Sequence, residues 1–129
     1  MTMPAMPAAV LEFFTASQRG DAEAWAATFA ENGVFHDPVG TPPILGRNAI
    51  HDFIAGVLPN FEPFLGLTPH QAHTVGASVA VSWSGAAVSL SGRPVNWSGI
   101  NVYELDADGL IAEAKAYFNR EIFQAQLKG

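Results

Sequence analysis

The chain contains no cysteine, which excludes both a disulfide framework and thiol chemistry. Positive charge is also scarce, because six lysines and arginines stand against twelve acidic residues and give a net charge of -6. Nucleic acids and anionic membrane surfaces attract clustered lysine and arginine, so this balance argues against both as partners.

Long apolar runs are missing as well. No stretch approaches the roughly 18 apolar residues that a membrane-spanning helix requires. The segment from Met1 to Ala9 has neither the positive region nor the long apolar region of a secretory signal. We therefore expect a cytoplasmic protein.

Apolar residues are nevertheless abundant. They make up 49% of the sequence, whereas charged residues make up only 14%, and this composition indicates a globular chain. The length suits a single domain over residues 1–129 with a substantial core. Surplus apolar surface has to be covered by a ligand or by a subunit. We therefore expect an apolar small-molecule partner and a homodimer.

Helical signals fill the first half of the chain. The first predicted helix follows Pro7 and ends at Gly20, and the second is alanine-rich and runs from Ala22 to Ala30. A third follows Gly46, carries apolar residues at helical spacing and ends at Pro59.

Strand signals fill the second half, where the apolar period changes to two from His73 onward. The predicted strands are Val75 to Trp83, Ala86 to Leu90, Val95 to Leu105 and Leu110 to Phe118. Three N-terminal helices packed on a strongly curved, mixed or antiparallel sheet form an α+β fold. Such a fold would enclose a cone-shaped pocket.

Residues 37–46 are the most informative segment. A lone carboxylate, Asp37, ends an apolar run and is followed by three prolines and two glycines. Proline fixes the backbone and glycine permits tight bends, so this segment should hold the carboxylate in one direction.

This segment also carries a family resemblance. Together with Arg47, Ile50 and Phe53, and with Gly20-Asp21 upstream, it resembles the ketosteroid isomerases. These belong to the cystatin-like α+β cone superfamily, which includes nuclear transport factor 2-like and SnoaL-like proteins. Residues 101–109 and 116–118 fit the same pattern.

The resemblance implies that Asp37 is the general base of a proton transfer on an unsaturated ketone; this isomerase is itself a worked example of a modest-pKa aspartate base. The family's oxyanion tyrosine and its two supporting tyrosines fall on Phe13, Phe29 and Ile54. The family's aspartic acid donor falls on Asn101, whose amide can still donate a hydrogen bond. The oxyanion site would therefore be rebuilt.

The remaining site predictions concern pocket residues. Trp97 and Tyr103 share a strand face with Asn101 and are candidate donors to a ligand oxygen. By the resemblance, Phe13 and Phe118 should line the pocket, with Phe29 and Ile54 beside them. No cofactor is expected.

Alternative functions remain open. A polyketide-cyclase-like enzyme needs only one acid/base carboxylate, whereas epoxide hydrolysis in related proteins uses an Asp-Arg-Asp arrangement. The arginines Arg47, Arg93 and Arg120 lie near turns or an element's end, which disfavours that second subtype. A non-catalytic binding protein for an apolar molecule is the third reading.

A metal site is not expected. Val34 to Asp37 is predicted to form a short strand, so His36, which precedes Asp37 directly, should point to the other face. His70 and His73 have no third ligand at a familiar spacing.

Overall fold

Four α-helices and six β-strands make up the computed structural model, which describes residues 3–128. In chain order they are α1 Ala8–Arg19, α2 Ala22–Ala26, β1 Phe29–His36, β2 Ile44–Leu45, α3 Arg47–Val57, β3 Phe61–Val75, β4 Ser78–Ser89, β5 Pro94–Leu105, β6 Ile111–Tyr117 and α4 Arg120–Lys128. Met1, Thr2 and Gly129, which the single-domain prediction includes, lie outside the described residues.

The strands form one mixed sheet with the order β2-β1-β6-β5-β4-β3. Only β1 and β6 pair in parallel, and the other neighbours are antiparallel. Register shifts interrupt β3 at several points, and such irregularities bend a strand. The predicted α+β fold, with helices packed on a curved sheet, is confirmed.

Two helix predictions hold, and the second helix is shorter than predicted. Helix α2 begins after Asp21, whose side chain accepts a 2.9 Å hydrogen bond from the Ala24 amide, but it ends at Ala26. Phe29 belongs to β1 and pairs with Ile111 of β6. Alanine helix propensity is worth only tenths of a kcal/mol per residue, so burial of Phe29 in a parallel strand pair overrides it.

The C-terminal half also differs from the prediction. One continuous strand, β4, replaces the two strands predicted over Val75 to Trp83 and Ala86 to Leu90. Strand β3 is not predicted, because Pro63, Gly66 and Pro69 break its period-two pattern. Helix α4 is not predicted either, and none of its described residues is fully buried.

Aromatic rings dominate the core between the helices and the sheet. Phe13 of α1 is fully buried and lies edge-on to Trp25, Phe35 and Tyr103 at centroid distances of 5.4, 6.0 and 5.2 Å. Such arrangements add about 0.5–1.5 kcal/mol per pair beyond area burial. Phe13 therefore ties both N-terminal helices to the inner face of the sheet.

Two tryptophans on the inner face each lie opposite a glycine. Trp83 of β4 pairs with Gly99 of β5, and Trp97 of β5 pairs with Gly85 of β4. A Cβ atom at Gly85 would come within 2.6 Å of the Trp97 ring, and one at Gly99 within 2.8 Å of the Trp83 ring. The indoles can lie flat across the sheet because these positions have no side chain.

The outer face of the sheet carries some exposed apolar groups. Ile100 and Tyr117 are paired neighbours on β5 and β6 and are 51% and 47% exposed. The homodimer inferred from composition stays a prediction. None of the helices within residues 3–128 is long and apolar enough to cross a membrane.

Candidate active site

A cavity of about 450 Å³ opens between the inner face of the sheet and the helices. This volume lies within the range of small-molecule sites, roughly 300–1,000 Å³. Its wall is mainly aromatic and aliphatic, and Asp37 is the only carboxylate among the lining residues. The other polar lining residues are Thr41, Asn101, Arg120 and Gln124.

Asp37 follows the last residue of β1, and the turn after it is anchored by hydrogen bonds. The Val39 amide donates to the Ala116 carbonyl of β6 at 2.8 Å. The Thr41 hydroxyl donates to the Pro38 carbonyl at 2.7 Å. The proline-rich segment therefore fixes the carboxylate against the cavity, as its composition indicated.

Burial raises the pKa of Asp37 to about 7 from the ordinary value of 3.8. Desolvation is the cause, because an apolar surrounding disfavours the charged form. Part of Asp37 remains accessible, since the residue faces the cavity and not close-packed atoms. A carboxylate in this state is a much stronger base than a solvated one.

Asn101 of β5 is held by two hydrogen bonds in the cavity wall. Its Oδ1 accepts from the Trp83 indole Nε1–H at 2.8 Å, and its Nδ2 donates to the Tyr103 hydroxyl at 2.9 Å. An indole N–H can only donate, so Trp83 determines which end of the amide is oxygen. One amide N–H contacts Tyr103, which leaves the second for another acceptor.

Tyr103 lies beneath Asn101 and is fully buried. Burial raises the pKa of Tyr103 well above its ordinary value, although the Asn101 hydrogen bond partly offsets this. The charge of Asp37 raises it further, so the two groups lie near enough to interact. The phenol therefore stays protonated at all ordinary pH values.

The structure brings most of the predicted site residues together. Asp37, Asn101, Phe13, Ile54, Trp97 and Phe118 all line the cavity. Phe29 and Tyr103 do not. Phe29 packs behind Phe13 and Phe35 at centroid distances of 6.2 and 5.4 Å, and Tyr103 accepts a hydrogen bond from the lining residue Asn101.

Sequence reasoning missed several cavity residues. Trp83 continues the inward period of Val79 and Val81 on β4, and this alternation could have revealed it. Arg120 and Phe123 line the cavity from α4, an element that the sequence pattern does not predict. Arg47, in contrast, donates to the Phe29 carbonyl and is absent from the lining.

His36 points away from Asp37. Its Nε2 lies 2.8 Å from Glu113 Oε2 on the neighbouring strand, and the residue does not line the cavity. Within residues 3–128 no group of three or more histidines and carboxylates is arranged to hold a metal ion.

The elements of this site are a carboxyl group with a pKa near 7, an amide held by two hydrogen bonds and an apolar wall. A family model described as a SnoaL-like domain matches residues 10–114. The chain belongs to the SnoaL-like family. No curated protein sequence matches this SnoaL-like chain.

Two solved structures share the fold. One is the epoxide hydrolase/cyclase-like enzyme SalBIII, described for pyran ring formation in the polyether salinomycin. It has 23% identity and a TM-score of 0.77, and the match covers 88% of this chain and 89% of that one. The other is a protein from Catenulispora acidiphila DSM 44928 with a ketosteroid isomerase-like fold, in complex with trimethylamine. It has 18% identity and a TM-score of 0.84, and the match covers 96% of this chain and 95% of that one. At these identities the likeness shows the fold.

Proposed function

We propose that this SnoaL-like protein is a cofactor-independent isomerase that moves a proton on an apolar, steroid-like unsaturated ketone. The observation that carries the proposal is Asp37, a carboxylate with a pKa of about 7 in an apolar cavity. A general base works best when its pKa lies near the working pH.

In the proposed reaction, the Asp37 carboxylate removes a proton from the carbon between the ketone and the alkene. The electrons of that C–H bond form a dienolate, and Asp37 becomes a carboxylic acid. The acid then returns the proton to the far carbon of the dienolate. The product is the conjugated enone, and the carboxylate is regenerated.

The negative charge on the dienolate oxygen needs a hydrogen-bond donor. The second N–H of the Asn101 amide is the candidate, because Trp83 and Tyr103 already hold the amide in place. An amide donates without any pKa shift, unlike a carboxylic acid. The positions that match the three tyrosines of the ketosteroid isomerases are Phe13, Phe29 and Ile54. We therefore expect slower turnover than a full oxyanion hole would give.

The test is a spectrophotometric assay with a β,γ-unsaturated 3-ketosteroid, which follows the absorbance of the conjugated enone. Wild type should turn the substrate over, and Asp37→Asn should not, because an amide cannot accept the proton. Asp37→Asn nearly preserves shape, so a melting temperature no lower than that of wild type would separate lost chemistry from lost folding. Turnover that persists in Asp37→Asn would overturn the assignment of the base.

A cyclase-like reaction on a polyketide-derived substrate is the second candidate. Two observations favour it: the likeness to SalBIII, and a pKa that leaves about half of Asp37 protonated at neutral pH, available as an acid. The Asp-Arg-Asp arrangement of epoxide hydrolysis is not favoured. Asp37 and Arg120 both line the cavity, but the lining residues include no second aspartate. Ring closure of a hydroxy-epoxide without incorporation of labelled water would support the cyclase.

The non-catalytic reading predicts binding without chemistry. A steroid or polyketide that raises the melting temperature but is recovered unchanged would support it. Asp37→Asn would then bind the same ligand as well as wild type, or more tightly above pH 7.

A further inference from the structure

Helix α4 contributes two polar residues to the cavity, Arg120 and Gln124. They are four positions apart, so they lie on the same side of the helix. Both residues are exposed as well as cavity-lining, whereas Asn101 is almost fully buried in the wall. Residues that line a cavity and also meet solvent lie at its mouth. Helix α4 therefore places a cation and an amide where a bound molecule would reach the solvent.

Arg120 is the only lysine or arginine among the lining residues. Within residues 3–128, no ion pair includes it. Gln126 is the only residue of α4 whose side chain forms a hydrogen bond with the described part of the chain. The guanidinium of Arg120 and the amide of Gln124 therefore have all their donors free for a ligand.

Asp37, the only carboxylate of the lining, does not neutralise Arg120. A guanidinium within roughly 4–6 Å of a carboxylate holds its pKa down. The pKa of Asp37 is instead raised, by burial, and no cation lowers it. The positive charge at the mouth is thus separate from the group that we propose as the base.

Helix stability does not explain the position of Arg120. It is the first residue of α4, where the helix dipole disfavours a positive charge. The other charged residues of this helix follow the dipole, with Glu121 in the first turn and Lys128 in the last. Arg120 is the exception, and it is the one that lines the cavity.

We propose that Arg120, assisted by Gln124, binds a carboxylate group at the solvent end of the ligand. The planar guanidinium fork matches the two oxygens of a carboxylate, and the Gln124 amide can donate to either of them. A single cation balances a single negative charge, which suits a carboxylate better than a phosphate dianion. The ligand would then be an apolar acid, with its rings against the aromatic wall and its charge at the mouth.

This inference deepens the proposed function, because the unsaturated ketone would carry a carboxylate away from the reacting carbons. It rests on that function only in treating the cavity as the ligand site.

The test compares two probes of nearly the same shape, 2-naphthylacetate and 2-naphthylacetamide, of which only the first is charged. Calorimetric titration is done at about pH 6, where the probe carboxylate is ionised and Asp37, with a pKa of about 7, is mostly protonated. Wild type should bind the acid roughly 3- to 10-fold more tightly than the amide. The preference is modest because solvent at the mouth screens the ion pair.

The variants separate a direct contact from a general effect of charge. Arg120→Gln should weaken binding of the acid to the level of the amide and change amide binding less than about twofold. Arg120→Lys keeps the charge without the fork and should retain part of the preference. Arg93→Gln is the matched control, because it removes the same charge from an exposed position outside the lining. It should leave both affinities within about twofold.

Three results would overturn the inference. The first is a wild-type protein that binds the two probes equally well or binds neither. The second is an equal loss of acid binding in Arg120→Gln and Arg93→Gln, and the third is a preference that survives Arg120→Gln. Arg120 makes no ion pair within residues 3–128, so its variants should melt as wild type does. A failed isomerase assay alongside a preference for the acid that depends on Arg120 would reject the reaction and leave this inference standing.

Discussion

Trp83 donates its indole N–H to the Asn101 side-chain oxygen at 2.8 Å, and both residues are almost fully buried. The indole lies across Gly99, its cross-strand partner, so its direction is set by the sheet itself. The NH2 group of Asn101 consequently faces Tyr103 and cannot exchange places with the oxygen without losing this bond. The orientation of a buried donor is thereby fixed by a side chain on the neighbouring strand.

We expect Trp83→Phe to lower both stability and turnover. The substitution leaves the buried Asn101 oxygen without its donor, which costs about 1–3 kcal/mol of unfolding free energy. The amide is then free to rotate and present oxygen where it presented N–H. Urea unfolding and the enone assay measure the two effects. Trp97→Phe is the matched control, because its indole makes no hydrogen bond to Asn101; an equal loss of turnover in both variants would contradict the orienting role.

Asn101→Ala should reduce kcat on the order of 10²-fold, the cost of removing one oxyanion donor. Tyr103→Phe should reduce it much less, because Tyr103 supports Asn101 and does not line the cavity. Steady-state kinetics on the same ketone would compare the two. A larger effect from Tyr103→Phe than from Asn101→Ala would show that the phenol, and not the amide, acts on the substrate oxygen.

Stability should fall as pH rises through the titration range of Asp37. Its folded-state pKa, about 7, lies above the ordinary value of 3.8, so the folded protein holds the proton more tightly than the unfolded chain does. This contribution is complete below about pH 4 and is lost progressively as the pH rises through about 7, by on the order of 4 kcal/mol. The difference in unfolding free energy between wild type and Asp37→Asn isolates the effect, because all other titrating groups are shared. A difference that stays constant between about pH 4 and 8 would refute the raised pKa.

The pH dependence of catalysis should report the same group. As a base, Asp37 must be ionised in the free enzyme, so kcat/KM should rise with pH and level off above its pKa of about 7. A profile already flat between about pH 5 and 8 would mean that the base titrates near an ordinary carboxylate. A profile that falls across this range would instead favour Asp37 as an acid, as the cyclase reading requires.

The sequence predicted those site residues whose positions depend only on their neighbours along the chain. Asp37 could be singled out because the fixed turn that follows it lies within a few residues of it. Trp97 and Asn101 could be placed on one face because strand alternation alone decides that. Phe29 could not be placed correctly, because this first residue of β1 pairs with Ile111, far along the chain.

The remaining cavity residues depend on long-range packing. Trp25 lines the cavity from α2, and nothing in the alanine-rich segment indicates which side of this helix faces the sheet. Helix α4 is joined to β5 by Gln126, which accepts from the Asn96 amide at 2.8 Å and donates to the Asn96 carbonyl at 2.7 Å. This contact spans 30 positions of sequence, so the lining residue Arg120 could not be placed from its neighbours alone.

The glycine opposite Trp97 gives the floor of the cavity a property of its own. A methyl group at Gly85 would push the Trp97 indole, since the added carbon would lie only 2.6 Å from its ring and meets no backbone atom as closely. At Gly99 the added carbon would collide with the Tyr117 backbone carbonyl, so it would displace β6 next to the Ala116 carbonyl that anchors the Asp37 turn. Trp97 lines the cavity, so a change at Gly85 would make the cavity shallower from below while the turn that carries Asp37 stayed in place. Ligand size in a lineage with this architecture can therefore change in a single mutational step at a residue that never touches the ligand, and the acid–base chemistry need not be reinvented each time.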